Sequence, residues 1–163
     1  MELRRQLTLF LDEKSASEIE QIRLQFNPVQ FGLIKSHVTL CREDEIENFQ
    51  KILENLISLN QKSITINFEK IVRFSDGKGV LIPANQNNPE YQDLRRKILL
   101  SDKAIRFSEP HITLMHPRNS TCTDEIFDQI KKIDFPRKII FDTISLIEQI
   151  DGGEWKTLQN FKI

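Results

Sequence analysis

The chain has 163 residues, 39% hydrophobic, 29% charged and 8% aromatic, the composition of an ordinary soluble globular domain. Lys plus Arg number 23 against 24 Asp plus Glu, a net charge of −1, which argues against a module that holds a long polyanion or an anionic membrane by bulk charge. Two cysteines, Cys41 and Cys122, are too few for a disulfide framework and lack Cys-x-x-Cys spacing, so idle thiols in a reducing, cytoplasmic setting are expected.

Taken in chain order, the first apolar run, residues 7–11, reads as a strand and is too short for a signal-peptide core or a membrane span. Ser15-Ala16-Ser17-Glu18 has the form of a capping box, and Ile19, Ile22 and Phe26 follow at helical spacing. A strand at 33–40 comes next, then a helix at 43–59 carrying Ile46, Phe49, Leu53 and Leu56, then a strand at 64–74 before the turn Asp76-Gly77. The second half begins with a strand at 79–83, a helix introduced by Pro89 with Tyr91, Leu94 and Ile98, and a strand at 111–116. Thr121 and Asp124 open a helix bearing Ile126, Ile130 and Ile133. Strands at 138–147 and 155–161, separated by the turn Asp151-Gly152, complete the pattern.

This order repeats. Ser36-His37-Val38-Thr39-Leu40 corresponds to Pro110-His111-Ile112-Thr113-Leu114, and Phe68 and Ile71 correspond to Phe141 and Ile144 one residue out of step. Two copies are too few for a solenoid. The expectation is an α+β, bilobal duplicated fold, with two antiparallel sheets facing one another across a central groove and helices on the outer faces. Residues 1–163 then form one domain of two pseudo-symmetric lobes, with sequence copies at roughly 6–77 and 79–152 and a C-terminal strand at 155–161. The five glycines build neither a Walker loop nor a dinucleotide fingerprint, so no cofactor is expected.

Alternation along a strand points His37 and Thr39 to one face and Val38 and Leu40 to the other, and His111 and Thr113 stand likewise against Ile112 and Leu114. An approximate two-fold axis brings both His/Thr pairs into the groove between the lobes. Such a set suits phosphodiester chemistry. One neutral imidazole accepts a proton from water, a protonated one donates to the leaving oxygen, and two hydroxyls bond the non-bridging oxygens.

The two tetrads His37-Val38-Thr39-Leu40 and His111-Ile112-Thr113-Leu114 resemble the paired H-x-T/S-x motifs of the 2H phosphoesterase superfamily, in its branch of 2'-5' RNA ligase-like RNA 2',3'-cyclic phosphodiesterases. The resemblance implies a bilobal α+β fold with a V-shaped groove. It further implies metal-independent hydrolysis of a 2',3'-cyclic phosphate to a 2'-phosphomonoester, and in some members a weak, reversible 2'-5' RNA ligation. RNA 2',3'-cyclic phosphate ends or cyclic nucleotides are then the expected partners, and a monomer the expected state. Residue by residue, only His37 and His111 as catalytic groups and Thr39 and Thr113 as phosphate ligands carry over.

Around the tetrads, Arg42, His116, Arg118 and Trp155 are candidate substrate contacts, with Tyr91 a second aromatic that could stack on a base. Members of the bacterial branch often carry an arginine soon after the second tetrad. Here Met115-His116-Pro117-Arg118 follows, and His116 reads as a surface-loop residue. No metal site is expected, because no carboxylate or cysteine stands at useful spacing from His111 and His116. Other readings of the same residues are a non-catalytic RNA-end or nucleotide-binding module, a 2'-5' phosphodiesterase or ligase for linear oligonucleotides, and an enzyme for the cyclic phosphate of a non-RNA metabolite.

Overall fold

The computed structural model describes residues 1–100 and 105–163. Its first helix, α1 (Glu13–Phe26), is capped by Asp12, whose carboxylate accepts from the Ser15 N–H at 2.9 Å and the Ser15 hydroxyl at 2.7 Å. A carboxylate is the stronger acceptor and favours the positive end of the helix dipole, so the expected capping box at Ser15 lies inside the helix instead. A short helix not expected from the sequence, α2 (Pro28–Leu33), follows with Pro28 in its first turn. It delays the strand expected from residue 33 until His37. The remaining helices are α3 (Phe49–Ile57), α4 (Pro89–Leu99) and α5 (Asp124–Ile130). Asn48 caps α3 and Thr123 caps α5, so these helices begin later than expected.

Seven strands form one antiparallel sheet: β1 (Leu3–Phe10), β2 (His37–Cys41), β4 (Val72–Phe74), β5 (Gly79–Pro83), β6 (His111–Met115), β8 (Thr143–Ile150) and β9 (Lys156–Lys162). Their order is β4-β5-β6-β2-β1-β8-β9, while β3 (Ile64–Asn67) and β7 (Lys138–Phe141) pair separately. Strands expected to run unbroken over 64–74 and 138–147 each divide, the second at Asp142. The antiparallel α+β architecture is as expected. The sheets of the two halves are joined, however, at a seam where β2 meets β6 through the pair Val38 and Ile112.

Exchanging β1 with β5, β2 with β6 and β4 with β8 turns the order β4-β5-β6-β2-β1-β8 into its own reverse, as a strand-for-strand repeat would. The exchange also crosses the halves, since β4 pairs with β5 and β8 with β1. Behind the seam, Val38, Leu40 and Ile112 are fully buried and Leu114 nearly so. Helix α1 packs against β6 and α4 against β2, so each half's helix supports the other half's tetrad. Burying four such side chains contributes roughly 6–12 kcal/mol before entropy is counted. The back of the tetrads is therefore a fixed base for the polar front. Among the described residues no helix is long and apolar enough to cross a membrane.

Candidate active site

At the seam, the antiparallel register around Val38 and Ile112 sets His37 across from Thr113 and Thr39 across from His111. Each imidazole thus stands beside the other motif's hydroxyl, and the two histidines occupy a diagonal. Diagonal neighbours of this kind are roughly 7–8 Å apart, a spacing that leaves room for one phosphoryl group between two rings.

Both rings are oriented by the same device. The Nδ1 of His37 lies 2.7 Å from the carbonyl of Lys35, and the Nδ1 of His111 lies 3.0 Å from the carbonyl of Glu109, each two residues back along the chain. A carbonyl can only accept, so in the neutral ring Nδ1 carries the hydrogen and Nε2 keeps the lone pair. Each histidine then has one nitrogen left for chemistry.

Their surroundings differ. His37 is half-buried with Phe10 as its strand partner, the phenylalanine ring meeting the imidazole edge-on at 6.1 Å. His111 is exposed, and its strand partner is Pro83. Burial pushes the pKa of His37 down to about 4, against a smaller upward pull from the Lys35 carbonyl, and the charges of Arg23 and His111 add to the lowering. His37 is neutral at pH 7 by a wide margin.

The groove in front of the seam encloses about 530 Å³. His37, Thr39, His111 and Thr113 line it, and so do Arg42, His116, Arg118 and Trp155, so eight of the nine candidate residues come together, all but Tyr91. His116 differs from the surface-loop reading, being half-buried at the end of β6 with its ring against the groove. Its backbone N–H donates to Asn27 Oδ1 at 2.8 Å, and Asn27 Nδ2 donates to Asn119 Oδ1 at 2.8 Å. This amide link from the end of α1 holds the turn that carries His116 and Arg118. The Arg118 N–H approaches His116 Nδ1 at 3.1 Å and its guanidinium approaches Nε2 at 3.0 Å. A neutral imidazole accepts at one nitrogen only, so at most one of these is a hydrogen bond. Burial, and secondarily the Arg118 charge, hold His116 below the ordinary histidine range.

Tyr91 is not a stacking platform. It is fully buried, and its hydroxyl donates to the Thr39 carbonyl at 2.8 Å, bracing the tetrad strand from behind. Its helical spacing with Leu94 and Ile98 is the pattern of a core position, a signal that outweighs the stacking role expected of it. Trp155 lines the groove, but the Arg4 guanidinium lies over its ring at 5.2 Å.

Arg4 and Arg106 also line the groove and carried no local signal in the sequence. Arg4 donates to Glu43 at 2.8 Å and to Gln149 at 3.0 Å, and Arg106 reaches both Asp44 oxygens at 3.3 Å. Arg42 and Arg118 form no ion pair with a carboxylate among the described residues. Four guanidinium groups thus surround two imidazoles and two hydroxyls, and two of the four are unengaged by acidic side chains. No cluster of three or more His, Cys, Asp or Glu side chains that could hold a metal ion occurs among the described residues.

The sequence pattern of the 2'-5' RNA ligase superfamily matches residues 11–153. No curated protein sequence matches the chain. Among solved structures, E. coli LigT in its apo form is similar at TM-score 0.67 and 16% identity, covering 100% of this chain and 99% of that one. E. coli LigT complexed with 3'-AMP is similar at TM-score 0.65 and 16% identity, covering 98% and 97%. A structure described as a phosphoesterase is similar at TM-score 0.67 and 16% identity, covering 99% of each chain. At such identities the likeness is one of fold.

Proposed function

The chain belongs to the 2'-5' RNA ligase superfamily of 2H phosphoesterases, and from that premise we propose that its groove hydrolyses 2',3'-cyclic phosphates on RNA ends or small nucleotides. Membership carries a phosphodiesterase-type activity. The finer reading rests on one observation: two imidazoles pinned alike through Nδ1, one half-buried and one exposed, on a diagonal with two hydroxyls.

In this reading the neutral His37 is the general base. Its Nε2 takes a proton from water as the water oxygen bonds to phosphorus. The P–O3' bond breaks, and O3' takes a proton from Nε2 of a protonated His111, leaving a 2'-phosphomonoester. The proton taken by His37 and the one lost by His111 then exchange with solvent. Thr39 and Thr113 donate to the non-bridging oxygens, whose charge grows in the transition state. Arg42 and Arg118, without carboxylate partners among the described residues, are the cations available to the phosphate. All acid–base work in this scheme is assigned to side chains, so turnover is expected to persist in EDTA.

The fold it shares with E. coli LigT, a protein crystallised with 3'-AMP, supports an occupant of nucleotide size. The test is turnover of 2',3'-cyclic nucleotides in EDTA with the product phosphate located by NMR. A 2'-phosphate from the wild type, lost in His37→Ala, is the expected result. Equal turnover in wild type, His37→Ala and His111→Ala would overturn the assignment.

A further inference from the structure

Of the further cavities that adjoin the groove, two lie one on each side of the seam. The first, about 530 Å³, shares Leu33, Ile34 and Trp155 with the groove. The second, about 700 Å³, shares Phe107, Glu109 and His111 with it. We propose that the cavity beside His111 receives the nucleobase of the substrate, with Phe107 as its stacking platform. The proposal rests on the nucleotide reading given above and adds to it a subsite and a ligand class.

Phe107 is the first reason. It is 63% exposed, a phenylalanine left largely uncovered in a chain whose other apolar rings are half-buried or buried. An uncovered ring where the groove, this cavity and a third of about 400 Å³ meet offers a π-face to a planar group, and every base has one. The other aromatic at the groove, Trp155, already has its face covered by Arg4. Of the aromatic rings that line the two flanking cavities among the described residues, Phe107 is the exposed one, while Phe10, Phe31 and Trp155 on the other side are half-buried.

Charge supplies the second reason. The arginines at the site, Arg4, Arg42, Arg106 and Arg118, all line the groove. Among the described residues no Lys or Arg lines the cavity beside His111, and the carboxylates of Glu69 and Glu109 do. A phosphate is repelled there and a neutral group is not. The anionic end of the ligand is thus held in the groove while its uncharged end turns toward Phe107.

Open polar groups supply the third. Glu69 accepts from Asn85 Nδ2 at 2.9 Å through Oε1, which leaves its second oxygen for a ligand. Gln86 makes no side-chain hydrogen bond within the described residues. A mostly apolar wall of Leu81, Pro83 and Ala84 with a few such acceptors and amides suits the N–H edge of a base.

The experiment compares 2',3'-cyclic AMP with glycerol 1,2-cyclic phosphate, which has the same five-membered phosphodiester and no base. Wild-type kcat/KM should favour the nucleotide by roughly ten- to a hundredfold. Phe107→Ala should remove most of that ratio through KM, and Phe107→Tyr should keep it. A ratio near one in the wild type, or one that Phe107→Ala leaves intact, overturns the proposal. If the wild type turns over neither compound, the hydrolytic reading fails, and the subsite is decided separately by equilibrium binding. It then requires adenosine 2'-monophosphate to bind at least tenfold tighter than inorganic phosphate, with the gap closed in Phe107→Ala. Equal affinities for the two would reject the subsite whatever the chemistry.

Discussion

Arg23 on α1 and Arg95 on α4 are one device used twice. Arg23 donates to the Ile34 carbonyl at 2.6 Å and Arg95 to the Arg106 carbonyl at 2.9 Å, and both the arginines and their acceptors are 72 residues apart (95 − 23 and 106 − 34). The side chains are 2% and 1% exposed. Each clamps the segment that leads into a tetrad, just ahead of the carbonyl that pins the histidine. The two differ in their acids. Arg95 meets Glu45, itself only 9% exposed, and also donates to the Leu40 carbonyl of β2 at 2.5 Å, whereas the Glu20 partner of Arg23 is 24% exposed.

Arg95→Met should therefore destabilise the fold by about 3–5 kcal/mol, because it leaves the buried Glu45 carboxylate with only the Arg42 N–H at 2.9 Å and the Arg106 guanidinium at 3.6 Å. Arg23→Met should cost about 1–3 kcal/mol, since Glu20 can turn to water and the main loss is the bond to Ile34. Adding Glu45→Gln to Arg95→Met should recover part of the larger loss. Urea unfolding followed by circular dichroism measures all three.

His37→Ala and His111→Ala should each lower kcat/KM on a 2',3'-cyclic nucleotide by about 10²–10⁴-fold. The double variant should be little worse than the poorer single one, because acid and base act in one step. Thr39→Val and Thr113→Val, which keep shape and delete a donor, should cost roughly ten- to a thousandfold each, mostly in kcat.

The acid limb of the kcat/KM profile should fall near pH 4, where His37 titrates, rather than near the ordinary imidazole value of about 6.5. Stability should vary over the same window. Between about pH 6.5 and pH 4 the unfolded chain binds a proton at His37 that the folded chain does not, so stability is full above the window and declines as pH falls through it. His116, lowered by burial and Arg118, acts in the same direction. Denaturation midpoints at several pH values should show a shallower slope for His37→Gln, and a shallower one again when His116→Gln is added.

Arg42→Ala and Arg118→Ala should raise KM about five- to fiftyfold, the loss of a charge-assisted bond to phosphate, while leaving the unfolding midpoint nearly unchanged. Arg4→Ala should affect both, because its guanidinium also ties Glu43 and Gln149 together and covers Trp155. Steady-state kinetics beside thermal unfolding separates the two behaviours.

What could be read along the chain was whatever local periodicity carries. Two-residue alternation placed His37 with Thr39 and His111 with Thr113, and the repeat of the tetrads predicted that they would meet. Arg4 comes to the groove through the pairing of distant segments, β1 with β8, and Arg106 and Phe107 stand in an irregular stretch ahead of β6 where no period shows which way a side chain faces. The joined sheet has no local signature for the same reason, since the pair Val38 and Ile112 lies 74 residues apart in sequence. Asp12 displaced Ser15 as cap because two acceptors competed within one turn, and the α2 helix was hidden by an apolar stretch that reads equally well as strand.

The crossed pairing of β1 with β8 also governs how the protein is made. Leu3 through Thr8 pair with Ile150 back to Ser145, while β2 pairs only with Leu7 through Phe10 on the other edge, so one edge of β1 waits for a partner far along the chain. Such non-local closure slows folding and leaves a strand edge open to wrong partners meanwhile. Arg4 and Arg5, one on each face of that waiting strand, put positive charge where two copies would otherwise zip together.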